Sequence, residues 1–301
     1  MEVSAGLAAA GLETAIAPGT LYLVATPIGN LEDITYRALR VLREVSAIAA
    51  EDTRHTGKLL AHFQITTPQL SYHEHNQHKR IPEIIDRLRS GQSIALVSDA
   101  GTPGISDPGV PLVAACGAAN LPIVPVPGAC AAIAGLIGSG LPSDRFCFEG
   151  FLPVKGKERR DRLAILAKEP RTAILYEAPH RLRETLEDLA HQCGDTRPIA
   201  IARELTKRYE QFWRGTLAEA IATWTEDNPA CPIKGEFVLI LGGAPLDDAA
   251  PTEAEIVAAL QEAIARGVSR SAASREVAAR FHWPKRSVYE LSLTIPESIT
   301  D

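Results

Sequence analysis

The chain has 301 residues, 46% of them hydrophobic and 23% charged, a globular composition long enough for two domains and a small appendage. Its formal net charge of −6 argues against a general nucleic-acid coat, because neutralising phosphates needs a local excess of Lys and Arg, so any RNA contact must come from patches. No apolar run reaches the roughly 18 to 20 residues that span a bilayer, and the stretch from Leu7 to Ile16 lacks the basic flank of a signal peptide; a cytoplasmic protein with no membrane partner is expected.

Residues 1–19 read as an N-terminal extension. Leu21 to Ala25, Ala47 to Glu51, Ile94 to Ser98 and Ile123 to Val126 are short apolar runs ending at turn residues, separated by helical spacing at Tyr36 to Val45 and Pro82 to Leu88. That alternation predicts an α/β layer with a mostly parallel sheet over residues 20–128. Pro122, Pro125, Pro127 and Gly128 mark the junction to a second α/β domain, residues 129–243. Its expected strands are Phe146 to Phe148, Ala173 to Tyr176, Ile199 to Ala202 and Phe237 to Leu241, and its helices Arg159 to Ala167 and Arg181 to Gln192. The acidic stretch 244–252 reads as a linker. Beyond it Glu253 to Arg266, Arg270 to Phe281 and Lys285 to Leu291, the last two introduced by Ser269 and Pro284, predict a three-helix, helix-turn-helix-like tail over 253–301.

Three glycine-bearing loops follow strands: Thr26 to Asn30, Asp99 to Gly109 and Pro127 to Ala129. In an open α/β sheet this is the edge where ligands bind, and glycine lets the backbone approach them. Asp99 could accept from a ribose hydroxyl or a cationic group; tight turns without a ligand are the alternative. No Walker loop or GxGxxG is present, which disfavours a polyphosphate or dinucleotide, and no nucleophile elbow suggests a hydrolase. The five cysteines, Cys116, Cys130, Cys147, Cys193 and Cys231, form no CxxC pair. They are expected to be reduced and mostly buried, with no resident metal.

The strings ATPIGNLEDITYRAL, AEDTRHTGKLL, VSDAGTPGISDPG, PVPGACAA, FEGFLP, LYEAPHR, RELTKRYE and GEFVLIL occur in that order between about Leu21 and Leu241. Together they closely resemble a family of ribosomal RNA small-subunit methyltransferases in the tetrapyrrole-methylase-like superfamily. The resemblance implies two tandem α/β domains with S-adenosylmethionine in the cleft between them, a homodimer, and 2′-O-methylation of a cytidine ribose in the decoding region of small-subunit ribosomal RNA, in an assembled or assembling subunit. It places Thr26, Pro27 and Ile28 on the cofactor from the first loop, and Asp99, Ala100, Gly101, Thr102, Ile105 and Ser106 as its main wall. Cys130 and Ala131 stand where many relatives carry a Thr-Ser pair; Tyr176 and Glu177 would approach from the second domain, with Gly235 and Glu236 near the adenine.

Methyl transfer from a sulfonium needs an in-line geometry and exclusion of water, helped by a group that takes the hydroxyl proton. Asp52, His73 and Glu74 are the sequence candidates. Arg54, beside Asp52, is suited to a phosphate, although an ordinary helix start capped by Asp52 or Thr53 fits equally. The run Tyr72 to His78 could be a metal site by residue type, a plain loop, or an RNA contact through His75 and Asn76. Lys155, Lys157, Arg159 and Arg160, with Arg162, form the densest basic run, either a solvated helix face or a phosphate track. In the tail Arg270, Arg275, Arg280, Lys285 and Arg286 serve RNA or protein docking. The competing functions are methylation of a tetrapyrrole or other small molecule, and a non-catalytic RNA-binding assembly factor.

Overall fold

A computed structural model describes residues 15–245, 253–281 and 283–295. Expectations for residues 1–14, for 246–252 in the linker and for 296–301 lie outside the described residues. The described residues up to 244 form one compact unit and those from 245 another.

Four strands of the first sheet are those expected: β1 (Leu21–Val24), β2 (Ala47–Ala50), β4 (Ile94–Val97) and β5 (Ile123–Val126), with the short β3 (Gln69–Ser71) added. They are ordered β3-β2-β4-β1-β5 and every pairing is parallel. Covered on both faces, β2 and β4 are buried at every position, which is why they read as unbroken apolar runs. Helices α1 (Tyr36–Glu44) and α2 (Thr53–His62) contribute Val41, Leu42 and Leu60 to the core on one face. On the other, α3 (Gln77–Arg89) and α4 (Val110–Ala118) contribute Ile84, Leu88 and Leu112. α3 starts five residues before the expected Pro82. Asn76 closes the preceding turn, accepting the His73 N–H at 2.9 Å and donating to the Ser71 carbonyl at 3.2 Å, so Pro82 falls inside the helix and omits one ladder bond.

The second sheet runs β6-β7-β10-β8-β9, from β6 (Phe146–Phe151), β7 (Thr172–Glu177), β8 (Pro198–Arg203), β9 (Gln211–Thr216) and β10 (Phe237–Leu241). Only β6 and β7 are parallel; β10 pairs antiparallel with β7 and β8, and β9 with β8. Helices α6 (Gly156–Lys168), α7 (Leu182–Cys193) and α8 (Leu217–Thr223) cover one face. The other carries α5 (Ala131–Ser139), which packs Ala132 and Leu136 on Ile174, Ala200 and Ile240. α5 lies close because it is small on that side: a Cβ on Gly138 would come 2.3 Å from the Phe212 ring.

The second unit holds α9 (Glu253–Ala265), α10 (Arg270–Arg280) and α11 (Lys285–Leu293) around Ile256, Leu260, Val277 and Val288. Arg270, expected as a docking cation, donates to the carbonyls of Ser292 and Ile295, holding α10 to the end of α11.

Candidate active site

β1 and β4 are neighbours, yet β1 leads to a helix on one face and β4 to a helix on the other. Loops diverging from such a switch point leave a crevice at the carboxyl edge. Thr26 and Gly101 exchange backbone hydrogen bonds of 2.8 and 3.0 Å across it. Gly101 is left-handed (φ 79°), and a Cβ there would press on Ile28 at 3.2 Å, so glycine lets the two loops meet. Ser106 is left-handed as well (φ 61°), a conformation that a non-glycine residue keeps only where its surroundings enforce it. The Thr102 hydroxyl donates to the Ala129 carbonyl at 3.0 Å, pinning the loop to the start of the second sheet's segment.

Two cavities open on this edge. The first, of about 400 Å³, has Asp99, Ala100, Gly101, Thr102, Ile105 and Ser106 along one wall. Ile28, Cys130 and Ala131 join them, and Tyr176, Glu177 and Glu236 come from the second sheet's strands and loops. The sequence also pointed to Thr26, Pro27 and Gly235. Thr26 and Pro27 line the second cavity instead, and Gly235, left-handed at φ 89°, lies against the Glu204 carboxyl, where a Cβ would come within 2.4 Å. Asp107, Phe151, Ala178, Pro179, Phe237 and Val238 complete the first cavity and were not anticipated.

Tyr176 anchors the far wall. Its hydroxyl accepts the Ala132 N–H at 3.0 Å, its ring meets Phe148 and Phe151 edge-on, and burial pushes its phenol well above the usual range, so it stays protonated. Beside it Glu177, 3% exposed, accepts from the Thr185 hydroxyl at 2.6 Å and the Ala178 N–H at 2.8 Å. Asp107 is pushed up to about 6, first by burial and then by the charges of Glu51 and Asp99. Glu51 is raised too, mainly by burial.

The second cavity, of about 370 Å³, shares Ile28, Asp99, Ala100 and Glu236 with the first and adds His55, Lys58 and Leu59 of α2 and Lys207. Lys207 is held between Glu204 (2.8 Å) and Glu236 (2.7 Å). Its loop clasps the first: the Asn30 N–H donates to the Thr206 hydroxyl at 3.1 Å, and a Cβ on Gly29 would come 2.4 Å from Lys207 Cγ.

The candidate proton acceptors fare differently. Asp52 is the N-cap of α2, accepting the Arg54 N–H at 2.8 Å, and its carboxylate also pairs with the Arg54 guanidinium at 2.8 Å. Those bonds hold it far below the usual carboxylate range, which makes it a poor base and ties Arg54 to the helix start. His73 turns a ring nitrogen into the protein without a partner and meets His75 edge-on; it, Glu74 and His75 line neither cavity. Asn76 is engaged by its own turn. Arg159 corrects the reading of the basic run: only 4% exposed, it donates to Asp188 (2.7 Å), the Thr185 hydroxyl and the Pro153 carbonyl, so it cannot meet a phosphate. Lys155, Lys157 and Arg160 are exposed, while Arg162 pairs with Glu149. Among the described residues no group of three His, Cys, Asp or Glu is placed to hold a metal ion, and no helix is long and apolar enough to cross a membrane.

A parallel sheet and a second, mixed sheet both line this crevice, the arrangement of an α/β methylase, and residues 20–221 match the family of Tetrapyrrole (Corrin/Porphyrin) Methylases. A structure of uroporphyrin-III C-methyltransferase from Thermus thermophilus complexed with S-adenyl homocysteine shares the fold, with a TM-score of 0.52 at 19% identity over 74% of this chain and 97% of that one. The chain is 58% identical over 278 residues to the ribosomal RNA small subunit methyltransferase I of Synechocystis sp., covering 92% of this chain and 98% of that protein. It is 46% identical over 275 residues to the protein of that name from Haemophilus influenzae, covering 91% and 96%. The chain belongs to the ribosomal RNA small subunit methyltransferase I family of tetrapyrrole methylases.

Proposed function

We propose that this protein is an S-adenosylmethionine-dependent 2′-O-methyltransferase acting on a cytidine ribose in the decoding region of small-subunit ribosomal RNA, within an assembled or assembling subunit, as a cytoplasmic homodimer. The observation that carries the reading is the pair of cavities with one common wall, an arrangement suited to a donor and an acceptor held back to back.

The first cavity fits the donor. Its volume suits a small-molecule site, Ile28, Ile105 and Val238 offer an apolar wall for a base, and Asp99 and Asp107, neither in an ion pair among the described residues, face the space with negative charge. Bound there, S-adenosylmethionine supplies an electrophilic methyl group on a positive sulfur. The protein's part is to hold the ribose oxygen in line with that methyl and to keep water out. Ile28 and Ala100 on the common wall exclude water, while His55 and Lys58 offer the second cavity cationic and hydrogen-bonding groups for a nucleotide phosphate. Lys155, Lys157 and Arg160, exposed after β6, would meet further phosphates.

The dimer is supported by α5, which leaves Ile133 and Ile137 exposed, the latter 75%, an apolar pair suited to a second copy. The test is transfer of labelled methyl from S-adenosylmethionine to purified small subunits and to free small-subunit RNA, with the modified nucleotide mapped. Label in a 2′-O-methylcytidine supports the reading; unlabelled subunits from a protein that binds the cofactor refute it.

A further inference from the structure

The acceptor hydroxyl must lose its proton where the two cavities meet, so the proton acceptor belongs on their common wall. Four residues lie there, and two of them ionise: Asp99 and Glu236. Glu236 has a side chain 81% exposed and pairs with Lys207 at 2.7 Å. Asp99 is half-buried and, among the described residues, faces no cation at ion-pair distance. It follows β4 on the loop that lines both cavities, and its Oδ1 is fixed by the Asp52 N–H at 3.0 Å. Asp107 lines the donor cavity alone, and Asp52 and His73 line neither.

We infer that Asp99 is the catalytic base, taking the proton of the ribose 2′-hydroxyl as its oxygen captures the methyl group. This rests on the donor and acceptor assignment proposed above. In the step the oxygen lone pair forms the O–CH3 bond, the CH3–S bond breaks with its electron pair going to sulfur, which becomes a neutral thioether, and the O–H proton passes to the Asp99 carboxylate. The proton has onward acceptors: Glu51, which accepts the Asp99 N–H at 3.4 Å, and Asp107, both of them raised carboxyls. The charged and titratable groups around Asp99 are Glu51, Asp52 and His73 beyond the ends of β2 and β3, Asp107 from its own loop, Tyr176 and Glu177 across the first cavity, and His55, Lys58, Lys207 and Glu236 across the second.

The test compares full-length wild type, Asp99→Asn and Asp99→Glu on small subunits under single turnover at saturating cofactor, across pH, with S-adenosylmethionine affinity measured separately by calorimetry. Asparagine keeps the acceptor for the Asp52 N–H but removes a carboxylate facing the cofactor's cation, so affinity is expected to fall, a loss that saturating cofactor offsets. The rate is expected to fall about 100-fold or more at neutral pH, with the residual rate rising about tenfold per pH unit as hydroxide replaces the carboxylate. Asp99→Glu restores part of the rate and the wild-type profile. An Asp99→Asn rate within about threefold of wild type, an unchanged pH profile, or a loss fully cured by more cofactor overturns the inference. So does an Asp99→Asn protein that binds no cofactor while Asp99→Glu binds it yet shows none of the wild-type rate. A wild type that binds cofactor but leaves subunits unmethylated refutes the underlying reading instead, and needs no variant to recognise.

Discussion

Asp107 is the carboxyl whose environment departs most usefully from water. Its ordinary value of 3.8 is lifted to about 6 by burial and by Glu51 and Asp99, so the folded protein holds this proton more tightly than the unfolded chain. Stability is therefore lost as pH rises from about 4 to about 6, and stays lost above that. At about 1.4 kcal/mol per pH unit the full displacement is an upper bound of about 3 kcal/mol; solvent reaches the partly exposed carboxyl, so about half of it, ~1.5 kcal/mol, is a fair expectation. Asp107→Asn removes the penalty and keeps a partner for Ser98. In the cofactor-free protein its thermal midpoint should rise by about 3 to 6 °C at pH 7.5 and converge on wild type near pH 4. Differential scanning calorimetry across that range reads both. A midpoint shift of the same size at pH 4 and pH 7.5, or a fall at pH 7.5, would refute the electrostatic account. The same variant should bind S-adenosylmethionine more weakly, since a carboxylate facing a cation is gone.

Arg159→Ala should cost about 2 to 4 kcal/mol by leaving Asp188 and Thr185 without their donor, read as a lower urea midpoint, with RNA affinity of the folded fraction unchanged. Lys157→Ala should do the reverse: no stability change, but a slope of log affinity against log salt shallower by about one; filter binding at several salt concentrations decides. Gly29→Ala puts a Cβ at 2.4 Å from Lys207 Cγ and 2.8 Å from Thr206 Oγ1, and should cost about 1 to 3 kcal/mol by prising the two loops apart. An unchanged urea midpoint would mean they do not pack there.

The first sheet was legible because strands covered on both faces must be apolar throughout, and its glycine loops marked the edge where the two cavities open. β9 was missed since QFWRGT is a half-exposed edge strand without alternation, and α5 because AAIAGLIGS is apolar or small on every side and has no helical stripe. Asp107 and Phe151 hid in turn-like strings. The SDPG context of Asp107 reads as loop chemistry, and Phe151 lies past the register shift between Phe148 and Gly150 that carries β6 beyond its expected end. Arg159 did carry a signal: with Leu163 and Leu166 it falls on the buried face of α6, a spacing that marks an inward residue even when it is charged. Lys207 had none, for its meeting with Gly29 joins loops far apart in the chain.

The narrow wall common to the two cavities has a consequence for redesign. Ile28, Asp99, Ala100 and Glu236 are their only overlap, and the rest of the second cavity is divided between α2 with Lys207 and the first loop with Ser98, so only the half on α2 and at Lys207 can be rebuilt without touching the loop that Thr26 ties to Gly101. A change of acceptor should therefore begin on that helix, with the first loop and the wall it braces left in place.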